Sequence, residues 1–378
     1  MMKSKTICAL PWVQVSTSIE GIYRLCCLQT GTDVFNHIKV LDVPIKEMWH
    51  SKEYNRVRDR MLKGEYLDCC ARCYREEDAG LESARMRHNK NWGSYISEPK
   101  ILLLDLRLGN ICNLKCRMCN PAISTAWIED EKKLSVRNYS KTSLEKMENY
   151  DWYNQESFWN DLTTVLDSCE MIYLSGGEPA LLMDQQIKLF DKCIEMGVAK
   201  NIEIEYNTNL TIDVSKTSKY WKHFKHTKIN CSIDGIGEVN DYIRYPSKWD
   251  RVEKNFLLLH EMTKGNNAHI NPVITVQILN ILHLNSIFEY LKELKLKATL
   301  NILDEPNFYN VKVLPKNLKD KAIKRLSTWN VPELIEYMTN EDWSHLYPKF
   351  LRETEILDKD RNQKENGWKT LQKYHLKK

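Results

Sequence analysis

The sequence predicts an α/β fold: an open, partial barrel of parallel strands with crossover helices, preceded by a small cysteine-rich region and followed by a helical extension. Three observations carry this. From about residue 100, short apolar runs alternate with amphipathic stretches; one phase of those runs is repeatedly polar; and a dense group of cysteines follows the first run.

The strand candidates are ILLLDLRLG (101–109), MIYLSG (171–176), IEIEYNTN (202–209), INCSID (229–234), PVITVQIL (272–279) and ATLNILD (298–304). Between them lie helical patterns such as QQIKLFDKCIEMG (185–197) and LNSIFEYLKELKL (284–296). Strand–helix alternation of this kind gives parallel strands. Strands buried on both faces are nearly all apolar. Here one phase carries Asp105 and Arg107, Glu203, Glu205 and Asn207, Asn230, Ser232 and Asp234, Thr275 and Gln277, Thr299 and Asn301. Because side chains alternate across a strand, one face packs on helices and the other lines a wet lumen. Domain boundaries are expected at 1–99, 100–310 and 311–378, the first organised by metal and the last helical, with a charged, solvated tail over 355–378.

Composition narrows the function. A net charge of +4 over 378 residues gives no basic footprint for nucleic acid. No apolar run approaches the roughly 20 residues of a membrane span, and the MMKSKTICALPW start has no apolar signal core, so a cytoplasmic location is expected. Twelve cysteines in a reducing compartment point to metal or redox chemistry rather than disulfides. Nine fall in two groups: Cys8, Cys26, Cys27, Cys69, Cys70 and Cys73, then Cys112, Cys116 and Cys119. Cys169, Cys193 and Cys231 stand alone and are expected to be small buried hydrophobes.

The second group, in GNICNLKCRMCN, sits at the carboxyl end of a strand, where barrels of this kind place their chemistry. Structural zinc sites take four closed ligands. Iron–sulfur cubes are held by thiolates in short loops, and three thiolates leave one iron open. CNLKCRMC resembles the CxxxCxxC signature of the radical S-adenosylmethionine (SAM) superfamily, with Met118 where many members have an aromatic residue. The resemblance implies a partial (β/α)6 TIM-like barrel and a [4Fe–4S] cluster on Cys112, Cys116 and Cys119 whose open iron is chelated by SAM. It makes Gly176, Gly177 and Glu178 of YLSGGEPAL acceptors for the SAM ammonium. It assigns Ser232 and Asp234 to the ribose, with Asn209 nearby; the planar fork of Arg244, twelve residues past the serine, suits the methionine carboxylate, with a surface helix charge as the alternative. The adenine site is expected near Gln277–Asn280. The activity implied is reductive cleavage of SAM to a 5′-deoxyadenosyl radical that takes hydrogen from a substrate, with an external one-electron reductant of flavodoxin or ferredoxin type.

The first cysteine group, with CALPW, RLCC and CARCYREEDAG, resembles a SPASM or twitch module placed before the barrel instead of after it. That implies an auxiliary [4Fe–4S] cluster on Cys8, Cys26, Cys70 and Cys73, with the choice inside each doublet, Cys26/Cys27 and Cys69/Cys70, left open. The expected substrate is a polar small molecule, with a peptide as the alternative. Glu205, Asn207, Gln277 and Asn301 are its candidate wall, or else a satisfied hydrogen-bond network. Two rivals predict different preparations: a non-catalytic iron–sulfur carrier cleaves no SAM, and a zinc-organised protein is colourless.

Overall fold

A computed structural model describes residues 5–29, 34–35, 37–78, 80, 82–363, 367–368 and 372. Its centre is one eight-stranded sheet: β1 Gln14–Thr17, β2 Tyr23–Arg24, β3 Leu103–Arg107, β4 Met171–Ser175, β5 Glu203–Thr208, β6 His226–Ser232, β7 Ala268–Val276 and β8 Thr299–Ile302. The order is β2-β1-β3-β4-β5-β6-β7-β8, so the sheet does not close. β3 to β8 are mutually parallel, and this is the partial barrel the polar phase implied.

The expected separation of residues 1–99 takes a different form. β1 lies parallel to β3, with Ser16 opposite Asp105, and β2 pairs antiparallel with β1. The first cysteine region is thus welded to the barrel by backbone hydrogen bonds. The alternation in WVQVSTS was the signal for it. β6 and β7 also begin earlier than the apolar runs. Pairing of Thr227 with Ala268 recruits polar residues ahead of both runs. β7 then stops at Val276, where the Asn280 side chain accepts from the Gln277 N–H at 2.9 Å and turns the chain.

The two faces of the strands divide as their chemistry requires. Along β5 the residues alternate between half-buried and buried, and Ile204 and Tyr206 pack outward beneath the helices. The helix Met183–Glu195 buries Gln186, Leu189, Phe190 and Cys193, a spacing of three, one and three that forms one stripe. Leu284–Glu293 does the same with Leu284, Ile287 and Leu291. Each of these leucine, isoleucine and phenylalanine side chains contributes about 1.5–3 kcal/mol when fully buried. Cys169, Cys193 and Cys231 are packed in this core. No helix among the described residues is long and apolar enough to cross a membrane.

The charged end of the chain departs most from expectation. Part of 355–378 lies outside the described residues, but the helix Tyr347–Asp360 buries Glu353 and Asp358, and Arg361 beyond it is also buried. These charges face inward because their partners are buried on the barrel.

Candidate active site

The carboxyl ends of β3 to β7 bring the expected groups to one rim. The loop after β3 carries Cys112, Cys116 and Cys119. The Cys116 and Cys119 thiols are within hydrogen-bonding reach, and Cys116 is close enough to Cys112 that its charge raises the Cys112 thiol. Burial pushes the Cys112 thiol up to about 12, and Cys116 rises well above its ordinary value. Arg244 opposes that rise at Cys116. A cation beside desolvated thiols favours their anionic, ligating form.

The loop is tied down from behind. Arg117, between the second and third cysteines, is fully buried, donates from Nε to the Tyr242 carbonyl at 2.9 Å, and lies 3.7 Å over the Tyr242 ring. Its Nη2 meets Asp358 at 2.5 Å and Gln363 at 2.8 Å. Arg137 donates to the Arg117 carbonyl at 2.6 Å and pairs with Glu353. Asp130 binds Lys115 at 2.5 Å and Arg361 at 3.1 Å. These contacts are the role of the carboxyl-terminal extension, which spacing in the sequence gave no means to see.

After β4, the chain passes so close to the cysteine loop that only glycine fits. A Cβ on Gly176 would meet the Gly109 carbonyl, one on Gly177 the Ile111 carbonyl, and Gly176 has φ +133. The Gly177 and Glu178 N–H groups donate to Gly109 and Ile111 at 3.2 and 2.7 Å. The two glycines therefore seat the cysteine loop. Glu178 is 2% exposed, and its carboxylate is spent inside the fold, accepting from Ala180 N at 3.1 Å and Asn209 N at 2.5 Å. Burial raises its pKa to about 7. It braces β4 against β5.

Asp234 is likewise engaged. It is fully buried, accepts from Thr275 N at 2.7 Å, and pairs with Arg244 Nε at 2.8 Å. Asp234 Oδ2 makes the ion pair but no hydrogen bond among the described residues, and Arg244 is buried and not a surface charge. Ser232 stays half-buried at the end of β6. Asn209 donates to Asn113 at 3.0 Å and accepts from Thr211 Oγ1 at 2.6 Å, linking the end of β5 to the cysteine loop. Gln277 is fully buried with Oε1 unpaired, and Asn280 donates to the Asp234 carbonyl at 3.1 Å.

The four candidate wall residues do not form one wall. Glu205 accepts from Lys228 and Asn230 at 3.1 and 2.7 Å, and Asn207 donates to Tyr173 and accepts from Asn230. These two are satisfied by neighbours. Gln277 lies beyond them in the core, and Asn301 is exposed on the outermost strand.

The six amino-terminal cysteines line one cavity, together with Leu10, Leu25, Met61, Arg85 and His88. All are free thiols. Burial pushes Cys8 up to about 12 and raises Cys26, Cys27 and Cys73. Cys69 and Cys70 sit with their sulfurs 3.8 Å apart. Among the described residues no three His, Cys, Asp or Glu side chains converge as they would around a single ion; the thiols line a space. Cys27 is turned to the barrel: its carbonyl accepts from Arg107 Nη2 at 3.0 Å, and Arg107 also bonds its thiol.

Three thiols on one loop, seated by two glycines at the carboxyl rim of a parallel barrel, coincide with a sequence match. Residues 106–284 match the Radical SAM superfamily. This stretch is a radical SAM domain. The superfamily uses a [4Fe–4S] cluster and SAM, and the donor set here fits both: three clustered thiols, a glycine pair packed against their loop and a buried arginine. An uncharacterized protein of Methanocaldococcus jannaschii, MJ0907, is 24% identical over 235 residues, 60% of this chain and 72% of that one. Among solved structures, native anSMEcpe with bound AdoMet is 20% identical, with a TM-score of 0.38, over 64% of this chain and 62% of that one. SuiB of Streptococcus suis bound to S-adenosylmethionine is 16% identical, with a TM-score of 0.40, over 74% and 61%. The chain thus spans about three fifths of those two solved structures.

Proposed function

We propose that this chain is a radical SAM enzyme with two iron–sulfur sites, acting on a polar substrate held in the barrel lumen. Cys112, Cys116 and Cys119 would hold the SAM-site cluster, and Cys8, Cys26, Cys70 and Cys73 an auxiliary one. When bound, the SAM-site cluster and SAM supply reductive C–S cleavage and abstraction of a substrate hydrogen atom.

The observation that carries the reading is the three-thiol loop and its seat. The chain's own residues do the positioning. Gly176 and Gly177 present carbonyls to the ammonium of SAM, and Arg244, aimed by Asp234, faces its carboxylate as a planar fork. Ser232 offers a hydroxyl to the ribose. The Arg117–Asp358 and Arg137–Glu353 pairs hold the loop in one place, because a buried ion pair is costly to break. The choice of Cys26 and Cys70 rests on Cys27 being engaged by Arg107 and on the two-residue spacing of Cys70 and Cys73. Arg107 on the lumen face meets the Cys27 carbonyl, and this contact between the barrel and the amino-terminal cysteines supports a net oxidation with the auxiliary site as electron acceptor. The test is 5′-deoxyadenosine release under anaerobic reduction by dithionite. Wild type should release it and Cys112→Ala should not; release by Cys112→Ala refutes the assignment.

A further inference from the structure

The two sides of the lumen differ in how their polar atoms are used. Across β5 to β8, Asn207, Asn230, Asn271 and Thr299 hand hydrogen bonds from strand to strand at 2.8–3.0 Å. The β3–β4 side is incomplete. Asp105 is 3% exposed and accepts from Ser16 Oγ at 2.9 Å through Oδ2, while Oδ1 has no partner among the described residues. Arg107, two residues on and on the same face, has a buried Nε with no hydrogen-bond partner among the described residues. Ser175 lies opposite Arg107 in the sheet, is 8% exposed, and its Oγ is unpaired. Arg24, the other cation near Asp105, is turned to the Gln29 carbonyl. Buried polar groups without partners are costly and rare. Here an acceptor, a donor and a hydroxyl lie side by side, directly before Gly176 and beside Cys27.

Resting on the reading above, we propose that Asp105, Arg107 and Ser175 anchor the substrate, and that they take an amide: an N–H to Asp105 Oδ1 and a carbonyl to Arg107 Nε and Ser175 Oγ. Two residues along a strand span about 6.5 Å. That is too far for one vicinal diol, and it suits the donor and acceptor along one edge of an extended peptide. The formal charges of Asp105 and Arg107 cancel, which favours a neutral group over a carboxylate. The substrate wall therefore lies on β3 and β4 and not on the four residues expected from sequence.

The test is thermal melting of the full-length, reconstituted protein without SAM, across a concentration series of acetyl-Gly-Gly-amide and, separately, of erythritol. Ligand-dependent melting gives an apparent affinity. Wild type should be stabilised by the amide and not by erythritol. Ser175→Ala removes a hydroxyl that bonds nothing, so its probe-free melting temperature should rise by about 1–3 °C, while its affinity for the amide falls about tenfold. Arg107→Met should abolish the amide shift. A merely structural Ser175 predicts the reverse, a lower melting temperature with an unchanged amide shift, and that result overturns the proposal. So does stabilisation of wild type by erythritol as much as by the amide, or by neither. None of these readings needs SAM cleavage. Their failure leaves the radical SAM reading standing, and absent deoxyadenosine would leave the anchor standing.

Discussion

The two cysteine regions are held by different physics. The loop bearing Cys112, Cys116 and Cys119 is fixed by charge: Arg117, Arg137 and Arg361 reach it or its flanks and meet Asp358, Glu353 and Asp130, all buried. The amino-terminal cavity is lined by thiols and aliphatic side chains, and its buried arginine, Arg85, is spent on Glu77 and the Ile7 carbonyl. A loop that must meet a cofactor from one open side gains from charges locked behind it. A cavity that encloses its contents needs only a dry wall. The contrast teaches which residues should matter for chemistry and which for assembly.

The largest expected difference is in turnover. Cys112→Ala should remove all deoxyadenosine formation, whereas Cys73→Ala should keep uncoupled formation and lose product; equal loss in both would erase the distinction. Next comes the charge clamp. Asp358→Asn leaves Arg117 buried without its anion, while the amide oxygen still accepts from the Tyr242 hydroxyl, which donates to Asp358 Oδ1 at 2.9 Å. Breaking such a pair costs about 3–5 kcal/mol, read as a lower melting temperature together with iron lost from the three-cysteine site. Iron lost instead from the amino-terminal cavity would place the clamp wrongly.

The third prediction concerns protons, and here the regions should agree. Cys8 and Cys112 are both raised to about 12 by burial, so both thiols are protonated at pH 7 in the cluster-free chain. Ligation needs thiolates, so assembly releases these protons and is favoured as pH rises, up to about tenfold per released proton between pH 7 and 8. A pH-independent assembly at either site would contradict its burial. The smallest effect should be at the surface pair Arg72–Glu76, about 30% exposed on both sides. Glu76→Gln should cost about 0.3–0.5 kcal/mol and leave both iron contents unchanged.

How much of this was legible follows from range. The parallel strands, the polar lumen and the two cysteine groups are local patterns, and the period of two in 203–208 or the spacing of 112, 116 and 119 is visible without the fold. Asp234 and Glu178 were found as carboxylates at strand ends, but their partners, Arg244, Thr275 N and Asn209 N, are set by the packing of neighbouring strands. Arg117 and Asp358 are 241 positions apart, and no periodicity joins them. The unpaired atoms of Asp105, Arg107 and Ser175 are beyond any pattern, since an orphan is known only once every possible partner has been placed.

Both cysteine regions are proposed to hold a cluster. Iron and sulfide content after anaerobic reconstitution tests it most directly, with wild type measured beside a Cys112/Cys116/Cys119→Ala triple variant. Two [4Fe–4S] sites predict about eight irons falling to about four. About four irons in wild type and none in the variant would contradict it, leaving the amino-terminal cavity without a cluster and the proposed electron acceptor without a place.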